Sequence, residues 1–249
     1  MTDADFAPTT IDAQEVAKFE AISAEWWDPD GKFKPLHLMN PCRLDYILNQ
    51  IVGQFGTQPG RSALAGLSVV DVGSGGGLIA EPMARLGAKV TGLEAAVGNV
   101  AVASAHAATM GLTIDYQVRT AEAAAADGDQ FDVVLALEIV EHVADVPSFI
   151  EASATLVRPG GLLIMSTLSR TAKSWVGAIV GAERILRWLP VGTHDWNKFL
   201  TPEELEAAIA VAGLEVVDCK GMVLNPVSGD WALSDTDLSM NYILTAEKA

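Results

Sequence analysis

The stretch Val70-Asp71-Val72-Gly73-Ser74-Gly75-Gly76-Gly77 decides how this chain reads. Ser68–Val72 is a short apolar run of strand type, and Leu78–Leu86 has helical spacing with Gly87 just beyond its end. Glycines between a strand and a helix let the backbone turn sharply and come close to a ligand. Leu93-Glu94 ends the next strand, 21 residues beyond Gly73. A carboxylate there suits a ribose diol, because two hydroxyl donors can pair with one acceptor group. The ligand so described contains a nucleoside. A dinucleotide site would normally read G-x-G-x-x-G, but the third glycine position holds Leu78. S-adenosylmethionine has no pyrophosphate and does not demand that helix approach, so the G-x-G-x-G spacing favours it over NAD.

Outward from this loop, strand and helix alternate. Lys89–Leu93 reads as a strand, Asn99–Met110 as an Ala-rich helix stopped by Gly111, and Thr113–Val118 as a third strand. Phe131–Ala136 is a fourth strand, Pro147–Val157 a helix, and Arg158-Pro159-Gly160-Gly161 a turn into a fifth strand, Leu162–Ser166. After a lapse between Leu168 and Asn197, Thr201-Pro202-Glu203-Glu204 starts a helix that ends near Gly213. Strands at Leu214–Val223 and Leu238–Glu247 follow. Such alternation with short connections implies an α/β fold, a parallel sheet with helices on both faces. Upstream, Val16, Phe19 and Ile22 mark a helix over Asp12–Glu25, with Asp12 and Glu15 spaced as a capping box. Trp26-Trp27-Asp28-Pro29-Asp30-Gly31 breaks that helix, and a second one is expected from Pro41 to Gln54. We therefore expect a single domain: a helical extension over 1–60 and an α/β core over 61–249, carrying an insertion at 168–198.

The 249 residues carry a formal net charge of −16, with 50% hydrophobic and 19% charged residues. That acid excess argues against a nucleic-acid partner, which needs a basic face. Val176–Ala182, the longest uncharged apolar stretch in the second half, falls far short of the roughly 20 residues that span a bilayer. The first ten residues contain two Asp and no Lys or Arg, so no signal peptide is expected. Cys42 and Cys219 lack partners at metal spacing and read as buried thiols of a reduced, cytoplasmic protein.

The segments Asp71–Gly77, Phe131-Asp132-Val133-Val134 and Arg158–Gly161 resemble the signatures of class I S-adenosylmethionine-dependent methyltransferases. The match narrows through Ala17–Glu20, Trp26-Trp27-Asp28, Phe33–His37, Asn40–Leu44, Glu141-His142-Val143, Lys173-Ser174-Trp175, Val180–Glu183 and Gly192–Asp195. These are similar to segments of the ubiquinone-biosynthesis O-methyltransferase family, from about residue 12 to 245. The resemblance implies a Rossmann-like fold, with a seven-stranded, mostly parallel sheet whose last strand is antiparallel. It implies S-adenosylmethionine as cofactor, contacted by Arg43, Gly73, Glu94 and Leu137, with Gly75 in the same loop. A guanidinium such as that of Arg43 pairs bidentately with a carboxylate like that of the methionine part. Ser74 and Glu94 depart from the family's usual Cys and Asp, and both substitutions keep the chemistry of the position. The implied reaction is O-methylation of ring hydroxyls on a 2-polyprenyl-6-hydroxyphenol and on 3-demethylubiquinol. Other enzymes of ubiquinone synthesis are candidate partners. A C-methyltransferase acting on the same ring would share this cofactor site, and an NAD-dependent oxidoreductase is disfavoured by Leu78.

Glu138, Glu141 and His142 follow the fourth strand, at the sheet edge that faces the ligand crevice in open α/β folds. On a helical turn, Glu138 would share a face with Glu141 and His142. Two readings stand. The three groups hold Mg²⁺ or a similar divalent cation, which clamps a catechol-like oxygen pair and lowers the phenol pKa, as the resemblance supports. An imidazole ligand suits Mg²⁺ poorly, since that ion prefers oxygen. Alternatively, His142 or His194 takes the phenol proton directly as general base.

Across residues 170–190, Arg170, Lys173, Arg184 and Arg187 oppose only Glu183, a local balance of +3, and Trp175 and Trp188 flank apolar residues. Basic residues with interfacial Trp suit a membrane surface, and a lid over the active site is the rival reading. A polyprenylated substrate lives in the bilayer, so the expected location is cytoplasmic, peripherally associated with the inner membrane.

Overall fold

The computed structural model describes residues 10–175, 195–225 and 227–249. Its centre is an eight-stranded sheet of order β3-β2-β1-β4-β5-β8-β6-β7. In chain order, β1 is Ser68–Val72, β2 Lys89–Glu94, β3 Asp115–Val118, β4 Phe131–Leu137 and β5 Val157–Leu168; β6 is Glu215–Leu224, β7 Trp231–Ser234 and β8 Asn241–Glu247. Strands β1 to β5 are mutually parallel, whereas β8 lies antiparallel between β5 and β6. The expected antiparallel last strand is therefore present. The expected count of seven is exceeded by β7, a short edge strand paired antiparallel to β6.

The apolar residues of each central strand alternate between the two faces of the sheet. Val70, Val72, Val134, Ala136, Leu163 and Met165 pack with α5 (Ala121–Ala126), α6 (Val146–Leu156) and α8 (Pro202–Val211). Val69, Val133, Leu135, Leu137, Leu162 and Ile164 pack on the other face against α2 (Lys34–Phe55) and α3 (Ala80–Arg85). Both faces being covered explains why these strands read as continuous apolar runs. The Phe131-Asp132 signature has a structural purpose: the Asp132 carboxylate accepts from Ser68 N at 2.6 Å and Ser68 Oγ at 2.7 Å, tying β4 to β1. It also pairs with Arg158 of the Arg-Pro-Gly-Gly turn.

Helix boundaries near the N-terminus differ from expectation. α1 covers Ala13–Ala21, with a 3-10 turn over Ser23–Glu25 behind it. Asp12 caps α1 by accepting from Gln14 N and Glu15 N, but the Glu15 side chain turns to Lys18 and His142, so no reciprocal capping box forms. α2 begins at Lys34 and runs through Pro41, which sequence spacing placed at its start. The extra turns are held by packing: Phe33 is buried and stacked on Trp26, and Met39 is buried in the core. Pro35 occupies the first-turn position where a missing N–H costs nothing. α4 (Val97–Thr109) follows β2, and α7 is a single turn, Ala172–Ser174. No helix among the described residues is long and apolar enough to cross a membrane.

Candidate active site

The carboxyl ends of β1, β2 and β4 open onto one cavity, roofed by α1 and the start of α2. At the end of β1 the chain leaves the sheet through Gly73, with φ +70°, and Gly75, with φ +52°. Gly73 N and Ser74 N donate to Leu93 O at 2.8 and 3.1 Å, which fixes the loop to the end of β2. Glu94 completes this junction. Its carboxylate accepts from Gly75 N at 2.9 Å and from Ala96 N at 2.8 Å, and burial raises its pKa. The longer Glu arm thus reaches back onto the glycine loop while remaining on the cavity wall.

The Trp26-Trp27 doublet lies against this loop. A Cβ at Gly75 or Gly76 would come within 2.4 Å of Trp26 side-chain atoms, so only glycine fits beneath it. Trp26 stacks on Phe33 with ring centroids 3.6 Å apart and donates through Nε1 to Asn99 Oδ1 at 2.9 Å. Trp27 donates to Gly76 O at 2.9 Å and stacks on His106 at 3.5 Å. Leu78, standing where a dinucleotide site would place glycine, packs in the same apolar cluster as Trp26 and Phe33. The contacts of the doublet span more than 40 residues of chain.

Arg43 rises from α2 into the cavity wall with only 3% of its surface exposed. It donates to Asn40 Oδ1, while its Nε has no hydrogen-bond partner among the described residues. Burial works against its charge, and the carboxylates of Glu138 and Asp71 work for it. Asp71 is itself pushed up to about 7 by burial, with Arg43 opposing. A buried guanidinium with an unused donor fits the carboxylate of an amino-acid ligand. Ser74 Oγ is also buried without a partner on this wall. Leu137, at the end of β4, is buried and lines the same cavity. The five residues expected to touch the cofactor therefore surround one space, and its donors and acceptors suit S-adenosylmethionine.

Glu138, Glu141 and His142 also reach this region, but not as one cluster. Glu138 has φ +52°, a backbone conformation costly for a side-chain-bearing residue, and precedes a 3-10 turn over Val140–His142. It is thereby out of helical register with the other two, contrary to expectation. Its carboxylate accepts from Ser166 Oγ at 2.7 Å and Asn241 Nδ2 at 3.3 Å. Glu141 is buried and accepts from Thr167 Oγ1 at 2.8 Å. His142 Nδ1 lies 2.9 Å from Glu15 Oε2 of α1, and Phe19 meets its ring edge-on at 5.1 Å. Among the described residues, no group of three or more His, Cys, Asp or Glu side chains is arranged to hold a metal ion. The side chains present thus do not fit the proposed divalent cation. His194 and most of the 170–190 segment lie outside the described residues.

The Glu15–His142 pair shifts both pKa values. Glu15 is held down to about 2, chiefly by the His142 hydrogen bond. For His142, burial favours the neutral ring, but the Glu15 hydrogen bond and the charges of Glu141, Glu15 and Glu138 outweigh it and leave the pKa raised. Glu15 escaped the sequence reading because its spacing from Asp12 had an adequate local explanation.

Residues 43–218 match the family of methyltransferase domains. Among curated proteins, a ubiquinone biosynthesis O-methyltransferase of Ruegeria pomeroyi is 59% identical over 237 residues, covering 95% of this chain and 96% of that protein. The chain belongs to the ubiquinone biosynthesis O-methyltransferases. A member from Cereibacter sphaeroides is likewise 59% identical, over 95% of this chain and 96% of its own length. The fold of these O-methyltransferases is shared with a magnesium protoporphyrin IX methyltransferase of Synechocystis, solved with bound S-adenosylmethionine (TM-score 0.63, 17% identity, 100% of both chains). A methyltransferase of Thermotoga maritima, described as a possible histamine N-methyltransferase, is similar at TM-score 0.60 and 17% identity, over 94% of this chain and 100% of that one. The enzyme is thus an S-adenosylmethionine-dependent O-methyltransferase.

Proposed function

We propose that the enzyme methylates a ring hydroxyl of a polyprenylated phenol or quinol, with His142 as the proton acceptor and no metal ion in the step. The observation that carries this reading is the placement of His142, oriented by Glu15, on the wall of the cavity that the glycine loop also lines. When bound, S-adenosylmethionine supplies an electrophilic methyl group on a sulfonium. The Gly73–Gly75 loop, Glu94, Arg43 and Leu137 would hold it. Glu94 would accept from the ribose hydroxyls, and Arg43 would pair with the methionine carboxylate. Phe19, Phe33, Leu36, Val143 and Phe149 give the cavity an apolar lining suited to an aromatic ring. His142 takes the phenol proton, leaving a phenolate oxygen positioned for in-line attack on the methyl carbon. Glu138, Glu141 and His142 are turned to separate protein partners and do not converge on a common point for a cation.

The reading is tested by calorimetry with S-adenosylhomocysteine, followed by turnover of a short-chain demethylubiquinol with and without a chelator. Binding heat, an aryl methyl ether product and rates equal within about twofold are expected. A ring-methylated product would favour C-methylation, and a tenfold loss on chelation would restore the cation.

The pH dependence has a definite sign. Neutral imidazole is the acceptor, so kcat/KM rises with pH, with its midpoint above the ordinary imidazole value of 6.5. The raised His142 pKa contributes stability that is full below 6.5 and lost as pH rises through the folded value. Glu15 contributes stability present above 4.5 and lost as pH falls towards 2. A pH–rate profile whose midpoint lies below 6.5 would exclude His142 as the acceptor.

For membrane docking we propose the segment 170–190. Its described part is mixed support: Trp175 is 47% exposed, but Arg170 pairs with Glu204 and Lys173 with Asp237. Replacing Trp175, Arg184, Arg187 and Trp188 together should abolish flotation with anionic liposomes. Unchanged flotation would leave the segment as a lid alone.

A further inference from the structure

We infer that Glu15 is a positioning residue, through which α1, lying over the cavity, sets the orientation of His142. This deepens the reading of His142 as proton acceptor and rests on it. None of the nine residues of α1 is fully buried, although its Phe19 packs against the Trp26–Phe33–Leu78 cluster. Polar contacts also tie the helix and its leading residues down at several places. Thr10 O accepts from Ala144 N at 2.8 Å, Asp12 pairs with Lys198 at 3.1 Å, Glu20 accepts from Gly98 N at 3.2 Å, and Glu15 meets His142.

The Glu15 contact lies on the cavity wall, with side-chain exposures of 13% for Glu15 and 10% for His142. It is also the one anchor whose partner is the proposed proton acceptor. A carboxylate on Nδ1 fixes the imidazole tautomer and directs Nε2 as the basic nitrogen. With α1 down, the cavity is roofed and the ring is oriented. Competence for proton transfer is thus tied to enclosure of the substrate.

The test compares Glu15→Leu, Glu15→Gln and Glu20→Ala, with His142→Gln as reference. Leucine fills the space but cannot accept from Nδ1–H, whereas glutamine retains an acceptor oxygen. Glu20→Ala removes an α1 anchor that does not touch His142. Glu15→Leu should lower kcat at least about tenfold with KM for both substrates within about twofold, while Glu15→Gln and Glu20→Ala stay near wild type. The downfield proton resonance of the hydrogen-bonded His142 Nδ1–H should vanish in Glu15→Leu and persist in Glu20→Ala. Equal losses in Glu15→Leu and Glu20→Ala would show helix anchoring alone and overturn the inference. So would full kcat in Glu15→Leu while His142→Gln is inactive. Full activity of His142→Gln would overturn the proton-acceptor reading itself.

Discussion

Replacing His142 with glutamine is expected to lower kcat on a short-chain demethylubiquinol by about 100- to 10,000-fold, the usual contribution of a positioned general base. The substitution is chosen for what it preserves. A glutamine amide can still donate to Glu15 Oε2, so the half-buried carboxylate keeps this partner and α1 keeps its anchor. Lost is the ring nitrogen able to take a proton. Affinity for S-adenosylhomocysteine should change by no more than a few-fold, because the glycine loop, Arg43 and Glu94 are untouched. Calorimetry and steady-state kinetics on the same preparation separate the two effects. A fall in affinity that matches the fall in kcat would mean that His142 shapes the cofactor site and moves no proton.

Gly75→Ala should be equally damaging by a different route. Its φ of +52° costs an alanine about 1–2 kcal/mol, and the new Cβ would sit 2.4 Å from the Trp26 ring. Relief requires Trp26 to move, which strains its stack on Phe33 and its hydrogen bond to Asn99. We expect a lower Tm and at least a tenfold loss of S-adenosylhomocysteine affinity, since Gly75 N also holds Glu94. In a Trp26→Leu background the clash term disappears and the backbone term stays, so Gly75→Ala should cost less there. Additive losses in the double variant would show that the two residues are not in contact.

The frame of the fold was readable because its determinants are local. Strand β1, the glycine turn, and Glu94 at the end of β2 lie within 27 residues, and each carries its own signal of period or turn chemistry. α5 went unread because Ala121–Ala126 has no amphipathic period, although Thr120 caps it. β7 went unread because four residues are too few for alternation to show. α2 was started late because Pro41 resembles a helix-opening proline, and only packing reveals the earlier turns. In the site, Arg43, Gly73, Gly75, Glu94 and Leu137 came from the signatures and do share one cavity. Glu15 and Trp26 act on residues far along the chain, and nothing local predicts which partner a half-buried carboxylate or indole will find. Glu138 was misplaced for a related reason: its left-handed backbone is imposed by clamps from Ser166 and Asn241 on two other strands.

The position of β8 bears on how the chain reaches this form during synthesis. β8 follows every other strand in the chain, yet it lies inside the sheet, paired to β5 on one side and β6 on the other. Until Asn241–Glu247 leaves the ribosome, the β6–β7 hairpin has no edge to join and β5 exposes an apolar flank. From the emergence of β5 until that of β8 the nascent protein therefore carries a sticky half-sheet, and a product stalled in that interval should be a strong client for holdase chaperones.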